Sequence, residues 1–154
     1  MSVAERIAHG TNRLYDAVRS PRANEVGERP PVKGDLDSLR GEKYFLLTTY
    51  KRSGDPVSTP LWFGLADGKL YFRTYADTAK LKRLRREPRV LIGPCDARGK
   101  PKGPMIEARA RPLGEDEEAV AERAIRGNYG LMRRLYLASF SGRVADTYVE
   151  VTPA

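Results

Sequence analysis

The sequence predicts a mainly β, α+β domain: six antiparallel strands in a small barrel, closed or split, with flanking helices. Three observations predict it. From residue 44 onward, strand-length runs of alternating apolar and polar residues follow one another, with short turns at Ser53-Gly54-Asp55, Asp67-Gly68 and Arg98-Gly99. A basic run with helical spacing, stopped by Pro88, follows the third strand. A second helical stretch, acidic at its start, separates the fifth strand from the sixth. The order is βββ-α-ββ-αα-β.

Val3, Ile7, Leu14, Tyr15 and Val18 share roughly one face of an amphipathic helix over residues 3–19. Residues 20–34, with Pro21, Pro30 and Pro31, read as a connector. Asp35 to Gly41 reads as a short capped helix leading into the core. The chain thus divides into residues 1–38, a helix and a Pro/Gly-rich connector, and residues 39–154, the β domain. Tyr44–Tyr50 is aromatic and β-branched, as a first strand should be. Val57–Ala66 alternates as a second, with Val57, Thr59, Leu61, Phe63 and Leu65 opposite Ser58, Pro60, Trp62 and Gly64. Asp67-Gly68 turns the chain tightly into a third strand, Lys69–Thr74. A helix over about 78–86 buries Leu81 and Leu84 and ends before Pro88. Arg89–Cys95 and Met105–Leu113 are the fourth and fifth strands. Gly114 to Glu118 is acidic where a helix dipole favours it. That helix runs over 115–126, breaks at Gly127 and resumes over 131–140. Val144–Val151 is the sixth strand.

Pro60 and Pro94 fall inside the predicted strands, and Pro104 at the start of the fifth. Proline has no N–H for the ladder, so each marks an edge, a bulge or a gap where a flat ligand can lie against backbone. At 154 residues the chain suits one domain with a real core. No apolar run approaches the ~20 residues of a membrane span, and no secretory h-region opens the sequence. A cytoplasmic protein without a membrane partner is the expectation. Cys95 is the only cysteine, so there is no disulfide framework, redox pair or cysteine zinc cluster. His9 is the only histidine and lies far from the best strands, which weighs against a Ser-His-Asp or Cys-His catalyst and a histidine metal site. Gly64 to Lys69 imitates a phosphate loop but has three residues between its glycines where four are needed, and Leu70 where Ser or Thr must follow.

The charge is concentrated. The chain carries +8, and residues 78–102 hold nine Lys/Arg against Glu87 and Asp96. Such a run favours phosphorylated cofactors, nucleic acid or acidic surfaces. The segment from Arg73 to Pro88 makes the choice narrower. A strand end, a polar turn and a helix start create an anion site, because the first helical turn has free N–H groups and partial positive charge. Thr74, Thr78 and Lys80 stand there, with Lys82 and Arg83 the nearest helpers.

Several segments, in order, resemble the FMN-binding split-barrel superfamily. They are Phe45-Leu-Leu-Thr-Thr-Tyr50, Pro56-Val-Ser-Thr-Pro-Leu-Trp-Phe63, Leu70-Tyr-Phe-Arg-Thr74 with Lys80 six residues on, and Arg83-Leu-Arg-Arg-Glu-Pro-Arg-Val90. Pro94-Cys-Asp-Ala-Arg-Gly-Lys-Pro-Lys-Gly103 and Asn128-Tyr-Gly-Leu-Met-Arg-Arg-Leu135 follow. Within that superfamily the chain is most similar to the pyridoxamine 5′-phosphate oxidase-like branch that uses the deazaflavin F420.

The resemblance implies a homodimer with cofactor at the subunit interface. It places the cofactor phosphate at Thr74 and Lys80, and the tricyclic ring along Ser58, Thr59, Pro60, Leu61 and Trp62. Tyr75 adjoins the phosphate end. It implies a reductase passing hydride from reduced F420 to a small organic substrate, with FMN as the alternative cofactor and flavin storage as an alternative role. Tyr75, Tyr129 and Glu107 are candidate proton donors, none compelling, so the catalytic residue stays unassigned. Trp62 is a candidate for ring stacking. The different-class alternative, a nucleic-acid-binding barrel, is disfavoured: its aromatics should line an open groove beside the cations, and here they are scattered over several strands.

Overall fold

Seven strands, not six, form a single antiparallel sheet in the computed structural model, which describes residues 30–130, Met132 and 146–154. They are β1 Tyr44–Tyr50, β2 Pro56–Leu61, β3 Gly64–Ala66, β4 Lys69–Tyr75, β5 Arg89–Cys95, β6 Ile106–Pro112 and β7 Asp146–Pro153. Their order is β2-β1-β5-β6-β7-β4-β3. The extra strand comes from a break in the predicted second one. Its first half pairs with β1, Phe45 opposite Leu61; its second pairs with β4, Gly64 opposite Tyr71. Only Trp62 and Phe63 separate the halves, so the sheet's two edges are joined by a two-residue link. A sheet joined in this way must curl on itself, and the result is a half-barrel.

The other boundaries move slightly. The helix predicted over 78–86 is α1, Ala79–Arg86, and the one predicted over 115–126 is a 3₁₀ turn at Glu115–Glu117 followed by α2, Glu118–Tyr129. Gly127 does not break α2. The helix ends at Gly130, which has a φ of 52° that a residue with a Cβ rarely adopts. The short helix expected at Asp35–Gly41 is a 3₁₀ turn over Asp37–Leu39. Helices predicted over 3–19 and 131–140 lie outside the described residues, Met132 apart. Pro60 stands on edge strand β2. Pro94 stands where β5 has passed its last pairing with β6, and Pro104 precedes β6.

Alternation sets the core. Phe45, Leu47, Leu70, Phe72, Ile92, Val149 and Val151 fill the inner face, with Leu81 and Leu84 of α1 closing one side. Phe63 enters this core from the break and packs edge-on against Phe45, ring centroids 5.6 Å apart. On the opposite face of β1, Leu46 clusters with Cys95 and Met105. Tyr71, Leu113 and Ala121 join α2 to the sheet. No helix among the described residues is long and apolar enough to cross a membrane.

Candidate functional site

Thr78 is the N-cap of α1. Its backbone is extended, as an N-cap's is, and its hydroxyl accepts from the Leu81 N–H at 3.4 Å. The same hydroxyl reaches Tyr75 O at 3.1 Å and Thr74 Oγ1 at 3.1 Å. A threonine hydroxyl has one hydrogen. When Thr78 donates to Tyr75 O, Thr74 supplies the proton between the two hydroxyls. Thr74 is therefore the one whose O–H can turn toward an incoming anion while the cap stays made. Both side chains are buried, and Lys80 is half-buried in the first helical turn.

On α1, with Leu81 and Leu84 facing the core, the 100° spacing puts Lys80 and Arg83 on one flank and Lys82 and Arg85 on the other. Arg83 Nε donates to Thr49 Oγ1 at 2.7 Å, and Arg86 donates to Tyr50 O. Thr49 is opposite Val57 of β2, so Arg83 ties α1 to the start of the predicted ring strand. Lys82 is exposed. Along β2, Thr59 and Leu61 share the inner face with Thr49 and Leu47. Ser58 and Pro60 are buried on the other, where Ser58 and Thr48 hydroxyls pair at 2.8 Å. Tyr75, at the end of β4, is half-buried.

Trp62 sits at the far end of β2, beyond the strand and against α2. Its indole stacks on the Tyr129 ring, centroids 4.4 Å apart and planes 14° from parallel. The break is held by side chains of α2 that composition and alternation did not single out for this role. Phe63 N–H donates to Tyr129 Oη at 2.9 Å, and Asn128 Nδ2 donates to Phe63 O at 3.0 Å. Asn128 Nδ2 also donates to Glu42 O, and Tyr129 Oη to Lys43 O. Backbone groups that lose their ladder at the break thus regain partners. From Lys43 to Thr49 is six residues of β1, about 20 Å at ~3.4 Å per residue. The cationic end and the aromatic end of the site are therefore roughly one strand length apart.

The basic run is dispersed by the fold. Arg89 forms a two-point ion pair with Glu87, and Lys102 pairs with Glu42 at 2.7 Å. The Arg89 hydrogen bonds hold the Glu87 carboxyl below its ordinary range, and Glu42 holds the Lys102 ammonium above its own. A separate open cleft of about 1100 Å³ lies between the 3₁₀ turn at Asp37–Leu39, the β3–β4 hairpin and α2. None of the predicted site residues lines it. Its floor is apolar, with Leu36, Phe63 and Ala124, and two of its charges, Asp37 and Arg40, pair with each other. We place the candidate site at the β4–α1 junction, where two hydroxyls meet the helix start and Lys80 stands in its first turn, and along β2, which Arg83 approaches through Thr49. Glu107 is half-buried on β6. No group of three or more metal-ligating side chains occurs among the described residues.

Cys95 is buried in the Leu46 cluster, and burial pushes its thiol up to about 12. The thiolate is the reactive form, and an exposed thiol ionises near 8.5. Alkylation of the native protein at pH 8 should run roughly a thousandfold slower than that of the urea-unfolded chain. Mass spectrometry after iodoacetamide treatment measures both; comparable rates would mean Cys95 is accessible.

The pyridoxamine 5′-phosphate oxidase family model matches residues 36–148. No curated protein matches the sequence. Solved structures share the fold. A heme-storage protein from Vibrio cholerae is 15% identical with a TM-score of 0.57, over 73% of this chain and 82% of that one. An FAD-binding protein from Mesorhizobium loti is 15% identical with a TM-score of 0.56, over 77% and 86%. An F420 reductase is 17% identical with a TM-score of 0.52, over 80% and 95%. At such identities the likeness speaks for the fold alone. The family model, spanning most of the β domain and both halves of the site, carries the assignment: the chain belongs to the pyridoxamine 5′-phosphate oxidase family.

Proposed function

We propose that the protein is a flavin-type oxidoreductase, F420-dependent in the first reading, that reduces a small organic substrate. The Thr74–Thr78–Lys80 junction carries this reading. Its donor set fits a phosphate: a hydroxyl able to turn, first-turn N–H groups, and an ammonium on the flank shared with Arg83. When bound, a deazaflavin supplies hydride chemistry at a ring carbon. The chain's own part is to hold and orient. Lys80 and Thr74 fix the phosphate end, with Thr78 capping the helix beneath it and Tyr75 beside it. The β2 backbone over 58–61 and the Trp62 indole give the ring a flat support. Residues of a second copy would complete the site in the proposed homodimer. The cytoplasm is the proposed location.

FMN, in an oxidoreductase or a flavin-storage role, is the second reading, supported by the FAD-binding protein of the same fold. The nucleic-acid reading has less to stand on, because Arg89 and Lys102 spend their charge on Glu87 and Glu42.

Titration with F420 and, separately, FMN tests the proposal. A charge-assisted hydrogen bond is worth about 1.5–3 kcal/mol, so Lys80→Ala should weaken binding roughly tenfold to a hundredfold. Arg98 lies in the exposed turn between β5 and β6, and Arg98→Ala should leave affinity near wild type. Equal losses in the two variants would mean a diffuse field rather than a built phosphate site. Binding of neither cofactor by the wild type would remove the oxidoreductase reading and leave the fold untouched.

A further inference from the structure

We propose that Tyr129 is a positioning residue: it sets the plane of the Trp62 indole so that Trp62 forms the end wall of a flat-ring site along β2. The inference rests on the function proposed above. The geometry behind it is specific. Trp62 follows the last residue of β2 and lies where the ladder stops, so the sheet does not fix its side chain. Tyr129 does. Its buried ring lies nearly parallel to the indole at 4.4 Å. Its hydroxyl is anchored at two backbone points, accepting from Phe63 N–H and donating to Lys43 O. The Lys43 ammonium lies 5.4 Å from the ring centroid and also donates to Asn128 O, which secures the tyrosine from the β1 side. A ring held at its hydroxyl and by a cation over its face has little freedom to tilt. The indole stacked on it inherits that orientation. Trp62 itself is only half-buried, so surface remains beside β2 for a planar, electron-poor ring to stack against.

Trp62 is the only tryptophan, so its fluorescence reports on this one position. Tyr129→Phe keeps the ring and drops the hydroxyl; Tyr129→Leu drops both. Four measurements are made on each: thermal melting, acrylamide quenching of the apo protein, FMN and F420 titration, and titration with inorganic pyrophosphate. Tyr129→Leu should raise the quenching constant at least twofold and weaken ring-cofactor binding roughly threefold to tenfold. Tyr129→Phe should melt lower, having lost two hydrogen bonds, yet restore near wild-type quenching and affinity. Affinity for inorganic pyrophosphate, which needs only the α1 end, should not change in either. Wild-type quenching and affinity in Tyr129→Leu would overturn the proposal. So would equal affinity losses in the two variants, because the stack would then not be the cause. Should Tyr129→Leu fail to fold, Trp62→Leu decides: FMN and F420 affinity should fall while pyrophosphate affinity holds, and unchanged cofactor affinity overturns the proposal. If wild type binds neither cofactor, the function proposed above falls and the ring wall with it. The quenching data still decide whether Tyr129 orients Trp62.

Discussion

Gly64→Ala should destabilise the protein by about 3 kcal/mol or more, above the middle of the range for overpacking. A Cβ at Gly64 would lie 2.1 Å from the backbone carbon and oxygen of Ala124 and 2.3 Å from the Ile125 nitrogen. Carbon contacts settle at ~3.5–4.0 Å. The obstructing atoms belong to helix backbone, so no side-chain rotation relieves them. The only relief is to move α2 off β3 by more than an ångström. That movement would withdraw Asn128 and Tyr129 from Phe63 and leave its N–H and C=O without their partners. In a chain of this size ~1 kcal/mol shifts the melting temperature by about 2–4 °C, so a fall of roughly 6–12 °C is expected by circular dichroism. Gly127→Ala is the informative contrast. It is exposed on the same helix, and nothing lies within 4 Å of its would-be Cβ. There the better helix propensity of alanine should raise stability by up to ~1 kcal/mol. A Gly64→Ala protein melting within two degrees of wild type would mean that α2 can shift freely, and the latch at the break would then be incidental.

The same two glycines show where sequence reading reaches and where it stops. Strands β1 and β5 were legible to the residue, because aromatic and β-branched runs bounded by turns are local signals. So was the body of α1: the buried Leu81 and Leu84 and the stop before Pro88 are set by near neighbours, while Thr78 as its N-cap is a detail the structure adds. The break at Trp62–Phe63 was not legible. Val57 to Ala66 alternates without interruption whichever strand each half pairs with, and the change of partner from β1 to β4 is purely tertiary. The side chains that compensate it lie 65 and 66 residues away in sequence. Gly127 looked like a helix break by propensity, but packing of α2 against β3 and β4 overrides one exposed glycine. In the candidate site, the helix start that motivates the proposed anion end is a local sequence feature. The hydroxyl partner of Arg83, Thr49, and the stacking partner of Trp62 are not, since both contacts cross between elements.

A buried ion pair at the foot of the site went unseen for a related reason, and breaking it should have the largest single effect. Alternation on β4 puts Arg73 on the face opposite the core, where an arginine is ordinarily solvated. Register instead sets Arg73 opposite Tyr148 and Tyr75 opposite Asp146, so the arginine and the aspartate meet as diagonal neighbours. Their side chains are only 13% and 19% exposed. Arg73 Nε and its second terminal nitrogen, and Asp146 Oδ1, are buried without a hydrogen-bond partner among the described residues. Among the described residues, each charge therefore finds its compensation chiefly in the other. Asp146→Ala strands a guanidinium in a dry setting and should cost about 3–5 kcal/mol. Arg73→Met strands the carboxylate and should cost a similar amount. The double variant, which removes both charges, should recover most of the loss, since an apolar pair escapes the desolvation that the ion pair never fully repays. Urea unfolding of the four proteins closes the cycle. Losses that simply add in the double variant would mean the two charges are compensated separately, and the buried-pair account would fail. For the proposed phosphate site Thr74 adds a functional consequence: it follows Arg73 directly on β4, and its hydroxyl, bonded to Thr78, is the one that can turn toward an anion while the cap stays made. Asp146→Ala should thus loosen phosphate binding as it loosens the strand end, whereas the double variant should regain both together.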